Sequence, residues 1–190
     1  MQEAERTNEM NRFIALLAIL FIPALSQAKL IGQKKADFEA THGKSIKLEA
    51  LAPEIPNQRY ITQALPKVLG ELDMYKTDFW PEDIIKQQPI LGYIGVWYSL
   101  GKVAAVWYPD IGKDETIVRA LEDALGTSDL SNEMGIFTNA RAYRTTDYKY
   151  LADVYAGLFV GDANFMRNTV RHAIKDLDEE AVKIKDSDTK

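Results

Sequence analysis

The sequence predicts a single α+β domain in which a small antiparallel sheet packs against several helices. Two runs rich in aromatic and β-branched residues flank residues 99–102, a pattern typical of a β-hairpin. Residues 114–125 and 164–183 instead place apolar residues at helical spacing. Residues 29–190 have the length of one ordinary domain, so both patterns are expected within one fold.

The N-terminal part of the sequence predicts a cleavable signal peptide. The apolar segment 13–25 (FIALLAILFIPAL) follows Arg12 and precedes small residues that end at Ala28. We therefore expect residues 1–28 to be removed and the remainder to be periplasmic or secreted. A permanent membrane anchor is the alternative, although the segment is shorter than the roughly 20 residues that span a bilayer. Met10 is an alternative natural start, because the residues before it are acidic.

Charge and cysteine content narrow the classes of partner. The net charge of −5 argues against nucleic acid or an anionic membrane as the main partner, and membrane contact is expected only through the signal peptide. The chain has no cysteine, which excludes disulfides and thiolate chemistry. We expect no cofactor and no metal, and the partner is an unidentified protein or small molecule.

The first half of the predicted domain contains short elements. Residues 34–41 predict a helix, and residues 45–51 alternate as a strand. Residues 60–75 show helical spacing, which Pro66 weakens, and residues 82–86 predict a short helix with acidic residues in its first turn.

The most apolar stretch of the domain, residues 90–108, predicts a hairpin with Leu100 and Gly101 as a two-residue loop. Strict alternation assigns its side chains to two faces, both apolar and hence both expected to be covered. One predicted face carries Ile94, Val96, Tyr98, Val103, Ala105 and Trp107, and the other carries Tyr93, Trp97, Ala104, Val106 and Tyr108.

The second half of the domain predicts mostly helix. Residues 114–125 have an acidic first turn and end at Gly126. Residues 135–143 are expected to be extended, after a turn-rich stretch. Residues 148–159 fit both a helix and a strand, and the flanking residues favour helix. Asp162 is expected to cap a final helix over residues 164–183.

Few side chains indicate specific chemistry. His42 and His172 are expected to be structural or surface histidines, and the acidic group at residues 176–180 a solvated helix face. Ser99 and Lys102 have the spacing of a serine acyl-transfer pair but occupy a predicted turn. The aromatic residues of the hairpin are expected to be mainly core, with one face as an alternative surface that stacks on a sugar or peptide. The candidates for that surface are Trp97, Tyr98, Trp107 and Tyr108.

Four segments within residues 60–160 resemble the zinc metallopeptidases with the HExxH motif, especially their lethal-factor-like domains. These segments read LPKVLGELDMYKTDFW, GKVAAVWYPD, TIVRALEDALG and ARAYRTTDYKYLADVYAGLF. In this resemblance the two zinc histidines fall on Arg119 and Asp123, and the catalytic glutamate falls on Ala120. The later helix retains Asp153 and Lys149 at its acidic positions. The resemblance therefore implies a zincin-like scaffold without zinc, in which Arg119, Asp123 and Asp153 form an ion-pair network.

Three functions remain as hypotheses. The first is an exported, non-catalytic binding or inhibitory protein that uses a cleft or the aromatic hairpin. The second is a periplasmic hydrolase in which Glu122, Asp123 and Asp153 act as general acid and base. The third is an envelope structural or interaction subunit, which would expose a broad apolar patch.

Overall fold

The structure, a computed structural model, describes residues 29–51, 59–111, 113–127, 129–137 and 140–189. The predicted signal peptide at residues 1–28 lies outside the described residues.

Eight strands and five helices make up the described part of the chain. The strands are β1 Ile46–Lys47, β2 Asp73–Lys76, β3 Tyr93–Ser99, β4 Lys102–Pro109, β5 Leu130–Glu133, β6 Ala142–Thr145, β7 Tyr150–Val154 and β8 Gly157–Asp162. The first four helices are α1 Lys35–His42, α2 Arg59–Leu69, α3 Glu82–Gln87 and α4 Asp114–Leu125. The C-terminal helix, α5, consists of a short α-helical turn Ala163–Phe165, a π-helical turn Met166–Val170 and the α-helix Arg171–Asp188. Short 3₁₀ turns at Leu48–Leu51 and Pro89–Gly92 connect elements in the first half.

All eight strands belong to one antiparallel sheet with the order β1-β2-β3-β4-β8-β7-β6-β5. The α+β class with an antiparallel sheet is therefore confirmed. The predicted hairpin forms β3 and β4, with Ser99 paired to Lys102 around the loop of Leu100 and Gly101. Both loop residues have positive φ, 51° and 72°, as a two-residue hairpin turn requires.

A β-bulge at Ala104 changes which face each β4 side chain occupies. Trp97 pairs with Ala105 and Tyr98 pairs with Val103, so Ala104 is an extra residue between two regular pairs. The predicted alternation is consequently wrong beyond Val103, because one inserted residue moves all later side chains to the opposite face. Ala105 and Trp107 share a face with Tyr93 and Trp97, whereas Val106 and Tyr108 share a face with Ile94, Val96, Tyr98 and Val103.

Helices cover both faces of the sheet, as its apolar central strands require. Helices α2 and α5 pack on one face, where Leu65 and Ile174 are buried with Trp107. Helices α1 and α4 pack on the other face, where Phe38 and Leu121 are completely or almost completely buried. The two faces are called the α2/α5 face and the α1/α4 face below.

Several predicted helices have the expected positions. Helix α4 begins and ends where predicted. It ends at Leu125 because Gly126 adopts a left-handed conformation with φ 70° after the last turn. Asp162 caps α5 by accepting hydrogen bonds from the backbone N–H groups of Asn164 (3.0 Å) and Phe165 (3.1 Å). Helix α1 and the short helix α3 also form close to their predicted limits.

Other predictions are wrong. The helix predicted over residues 148–159 is instead the strand β7 and the first part of β8, whose residues pair across the sheet. The helix predicted over residues 60–75 ends at Leu69, and β2 follows it. The predicted turn-rich stretch contains β5, and the last two residues of the segment 135–143 belong to β6.

Candidate ligand-binding groove

Helix α4 covers only part of the α1/α4 face of the sheet. Its buried residues, including Ala120 and Ala124, pack over the centre of the α1/α4 face, whereas β6 and β5 extend beyond the helix toward the sheet edge. A cavity of about 380 Å³ lies between the helix and these two strands. We call it the α4 groove, and it is lined by Asp114, Ile117, Val118, Leu121, Leu130, Arg141 and Tyr143.

The walls of the α4 groove are mainly apolar. On the helix side, Val118 exposes 45% of its surface between the buried residues Ile117 and Leu121. On the sheet side, Leu130 of β5 and Tyr143 of β6 are only half-buried. An exposed valine in mid-helix that faces two partly exposed apolar side chains forms a surface suited to a ligand.

An ion pair lies at one end of the α4 groove. Arg141 lies just before β6, and its guanidinium contacts the carboxylate of Asp114 in the first turn of α4. Both side chains are exposed, so the pair remains accessible to solvent. This arrangement provides a hydrogen-bonding end to an otherwise apolar groove.

A second, more polar depression of about 270 Å³ adjoins the other end. It is lined by Lys29, Leu125, Thr127, Asp129, Thr145, Thr146, Asp147 and Tyr150. The two depressions are neighbours because Leu130 pairs with Thr145 across β5 and β6.

The carboxylate of Asp147 in the polar depression accepts several hydrogen bonds. Its Oδ1 accepts hydrogen bonds from the Thr145 hydroxyl (2.6 Å) and the Lys149 backbone N–H (3.1 Å). These donors and the nearby Lys149 ammonium lower the pKa of Asp147 to about 2. Lys29 contacts the hydroxyl of Tyr150, and its ammonium lies 3.9 Å from the centre of the tyrosine ring.

The predicted site residues Arg119 and Asp123 lie one turn apart on α4 but outside the α4 groove. Asp123 accepts a hydrogen bond of 2.6 Å from the hydroxyl of Tyr108. The Arg119 guanidinium lies 4.6 Å from the ring centre of Phe79, which itself packs on Tyr108. Burial and the Asp123 carboxylate raise the pKa of the Tyr108 hydroxyl well above its ordinary value.

Asp153 lies on the opposite face of the sheet from Asp123. Its side chain is 1% exposed and forms a two-point ion pair with Arg171 of α5, on the α2/α5 face. The structure therefore does not bring Arg119, Asp123 and Asp153 into one network. It also separates the carboxylates that the hydrolase hypothesis combines, since Glu122 belongs to α4 and Asp153 to β7 beneath α5.

The aromatic residues of the hairpin are mainly core. Trp107 is fully buried and Tyr108 is 1% exposed, so neither ring offers a surface to a ligand. Trp97 is half-buried against Phe159, with ring centres 5.8 Å apart. Tyr98 is half-buried and donates a 2.9 Å hydrogen bond to the Tyr75 hydroxyl.

The candidates His42, Ser99 and Asp178 have structural contacts, and His172 is exposed on α5. His42 stacks on Phe38 at 4.2 Å between ring centres, and Ser99 pairs with Lys102 across the hairpin. In the acidic stretch of α5, Asp178 accepts a 2.7 Å hydrogen bond from the Tyr155 hydroxyl. Within the described ranges, no group of three or more His, Cys, Asp or Glu side chains could hold a metal ion.

Neither family models, curated proteins nor solved structures match this chain. The resemblance to zincin domains thus stays a prediction, although the helix it requires over residues 148–159 is a pair of strands. In the part of the chain that the structure describes, no helix has the length and apolar character needed to cross a membrane.

The α4 groove was not predicted from the sequence. Ile117, Val118 and Leu121 share the apolar side of the helix predicted over residues 114–125, and such a side is expected to pack in the core. The available signal was that Val118 widens this apolar stripe beyond what the sheet covers. Leu130 and Tyr143 gave no signal, because both lay in segments without a clear period.

Proposed function

We propose that this chain is an exported, non-catalytic binding protein whose ligand occupies the α4 groove. The observation that supports the proposal most directly is the geometry of the groove. Helix α4 leaves Val118 facing Leu130 and Tyr143 across a space of about 380 Å³. This volume lies within the range of sites that hold small organic ligands or a few side chains of a partner.

The chemistry of the groove favours a ligand with an apolar body and a polar end. The apolar walls gain free energy when water leaves them, roughly 25 cal/mol for each Å² removed from water. Asp114 and Arg141 neutralise each other at one end of the groove, and they offer both a hydrogen-bond acceptor and several donors. The lining therefore provides contact and orientation to a bound group.

Export is part of the proposal because of the residues before the domain. The basic residue Arg12, the apolar segment 13–25 and the small residues ending at Ala28 have the order that a signal peptidase recognises. Lys29 would then begin the mature chain beside the polar depression that adjoins the α4 groove.

Binding of Nile red, a neutral dye that fluoresces in apolar surroundings, tests the groove. We expect the mature chain, which begins at Lys29, to bind the dye at one site; the apolar segment 13–25 has to be absent because it would bind the dye itself. Val118→Gln should weaken binding about fivefold, because the dye loses part of one apolar wall. Val182→Gln is the matched control, since Val182 is also a helical valine, is 49% exposed, and lies on α5 at the other face of the sheet.

Both substitutions are at exposed helical positions and should change the free energy of unfolding by no more than about 0.5 kcal/mol. The proposal fails if Nile red does not bind, or if the two variants weaken binding equally. Amide chemical shifts that change at Leu130 and Tyr143 on dye addition would locate the bound dye in the groove.

A further inference from the structure

The two edge strands of the sheet differ in the length of backbone that is available to pair with a further strand. The edge strand β1 has only two residues and continues directly into a 3₁₀ turn. The edge strand β5 has four residues, Leu130–Glu133, and pairs with β6 on one side only, as far as the described residues extend. Its outer N–H and C=O groups form a template for a further strand.

The residues of β5 include a single charged side chain, Glu133, which pairs with Arg144 of β6. The sequence of β5, Leu-Ser-Asn-Glu, has neither proline nor lysine, and its register with β6 is regular over all four residues. A regular edge of this length can align with an extended segment of another chain by backbone hydrogen bonds.

The edge strand β5 is continuous with the α4 groove. Leu130 is both the first residue of β5 and a wall of the groove. A strand added outside β5 would lie about 4.8 Å away, and every second side chain would point to the α1/α4 face. Long side chains at those positions would be beside Leu130, where they can enter the apolar space.

Charges around the α4 groove and the polar depression favour a basic partner. Glu115 and Glu122 flank Val118 on the exposed side of α4, one turn before it and one turn after it. The carboxylates at this rim are Asp114, Glu115, Glu122, Asp129 and Asp147, and the cations are Lys29, Lys113, Arg141 and Lys149. Lys29 would also carry the α-ammonium group of the mature chain. Two of these cations already pair with rim carboxylates, Arg141 with Asp114 and Lys149 with Asp147. The rim is therefore acidic along the exposed side of α4 and close to neutral at the polar depression.

We propose that the natural ligand of the α4 groove is an extended, basic segment of a partner protein, which adds to β5 as a ninth strand. Its backbone hydrogen bonds to the edge, alternate apolar side chains enter the groove, and a lysine or arginine contacts the acidic rim. This inference rests on the proposed function and identifies the class of ligand.

Selection from a displayed library of random peptides roughly twelve residues long tests the inference, with the mature chain from Lys29 as target. Enriched peptides should carry apolar residues at every second position together with lysine or arginine. A synthetic peptide of the enriched sequence should bind more weakly as salt concentration rises, because salt screens the rim charges. It should also displace Nile red.

Two adjacent proline variants test the backbone pairing. Successive N–H groups of a strand point to opposite sides, so one of Ser131→Pro and Asn132→Pro removes an outward N–H and the other an N–H directed at β6. The outward variant should keep the wild-type melting temperature and lose peptide affinity about tenfold. The inward variant should lower the melting temperature. If both variants unfold, methylation of alternate backbone nitrogens of the peptide provides the same test from the ligand side.

The outcomes separate this inference from the proposed function. If Nile red binds with the expected effect of Val118→Gln but no peptide is enriched, the groove binds a small apolar ligand and the inference is overturned. Enriched peptides with apolar residues three and four apart would indicate a bound helix and would also overturn it. Dimerisation through β5, seen by sedimentation and abolished by the outward proline variant, would replace the partner with a second copy. If neither dye nor peptide binds, both proposals fail.

Discussion

Asp153 and Arg171 form a two-point ion pair between strand β7 and helix α5. The Nε atom of Arg171 lies 2.9 Å from Oδ2 of Asp153, and its Nη2 atom lies 3.0 Å from Oδ1. The same Nη2 atom donates a 3.1 Å hydrogen bond to the backbone carbonyl of Met134. One arginine therefore connects the helix to a buried carboxylate and to the segment after β5.

Loss of this arginine should destabilise the protein strongly. Arg171→Gln leaves the carboxylate of Asp153 buried without its ionic partner, and we expect the free energy of unfolding to fall by about 3 kcal/mol at neutral pH. Urea unfolding measures the change. Arg167→Gln is the control, because Arg167 is exposed on the same helix one turn earlier. A loss of equal size in both variants would contradict the role assigned to the pair.

The pair should also give stability a specific dependence on pH. Burial raises the pKa of Asp153 above its ordinary value, and Arg171 offsets part of this increase. The folded state therefore retains a proton at pH values where the unfolded chain has lost it, and stability falls as pH rises from about 4 through the folded-state pKa. Asp153→Asn cannot titrate, so the stability of the wild type relative to this variant should decrease over that window. Urea unfolding of both proteins at several acidic pH values measures this difference in the free energy of unfolding. A difference that stays constant or increases as pH rises would contradict the expectation.

At the tip of the β3–β4 hairpin, replacement of Leu100 should stabilise the protein. Leu100 is fully exposed and has φ 51°, a conformation that is unfavourable for leucine and well tolerated by asparagine. Leu100→Asn should raise the free energy of unfolding by about 0.5–1 kcal/mol, since Asn-Gly is preferred in such turns. Leu100→Val should lower it, because a β-branched side chain fits this conformation worse. A higher melting temperature for Leu100→Asn and a lower one for Leu100→Val, relative to the wild type, would confirm that the backbone at Leu100 is strained.

Gly157 should tolerate no side chain. A Cβ atom there would lie 2.3 Å from the carbonyl oxygen of Tyr108 and 2.7 Å from Nε1 of Trp107, and φ is 125°. We expect Gly157→Ala to cost about 3 kcal/mol or more, because backbone and core side chains would have to move. Gly32→Ala tests conformation alone, since Gly32 has φ 93° and no atom within 4 Å of the added carbon. Its cost should be about 1 kcal/mol, and equal costs in denaturant unfolding would show that crowding at Gly157 does not matter.

The sequence predicts the limits of an element correctly where residues next to those limits determine them. Helix α4 has acidic residues in its first turn and Gly126 after its last, and its limits were correct. The strands β7 and β8 were missed because Tyr150, Leu151 and Val154 satisfy both a helical and an alternating period. The pairing of β8 with β4, such as that of Phe159 with Trp107, joins residues distant in sequence and decides between the two periods.

The α4 groove depends on long-range geometry in the same way. Val118 and Tyr143 become neighbours only because α4 stops short of the sheet edge, and no local pattern encodes the width of that gap. The predicted network of Arg119, Asp123 and Asp153 failed for the related reason that β7 directs Asp153 to the other face. Residue types indicated possible partners, and the strand order determined which of them meet.

The π-helical turn Met166–Val170 stands immediately before Arg171, and it affects how sequences related to this one should be read. A residue of an α-helix advances about 100° around the axis and a residue of a π-helix roughly 80°, so the five residues of this turn rotate the chain about as far as four α-helical residues would. The turn therefore accommodates one additional residue between the Asp162 cap and Arg171 without changing the direction in which Arg171 points. In a relative that retains both residues of the ion pair but lacks one residue of this turn, we expect a regular α-helix and the same ion pair.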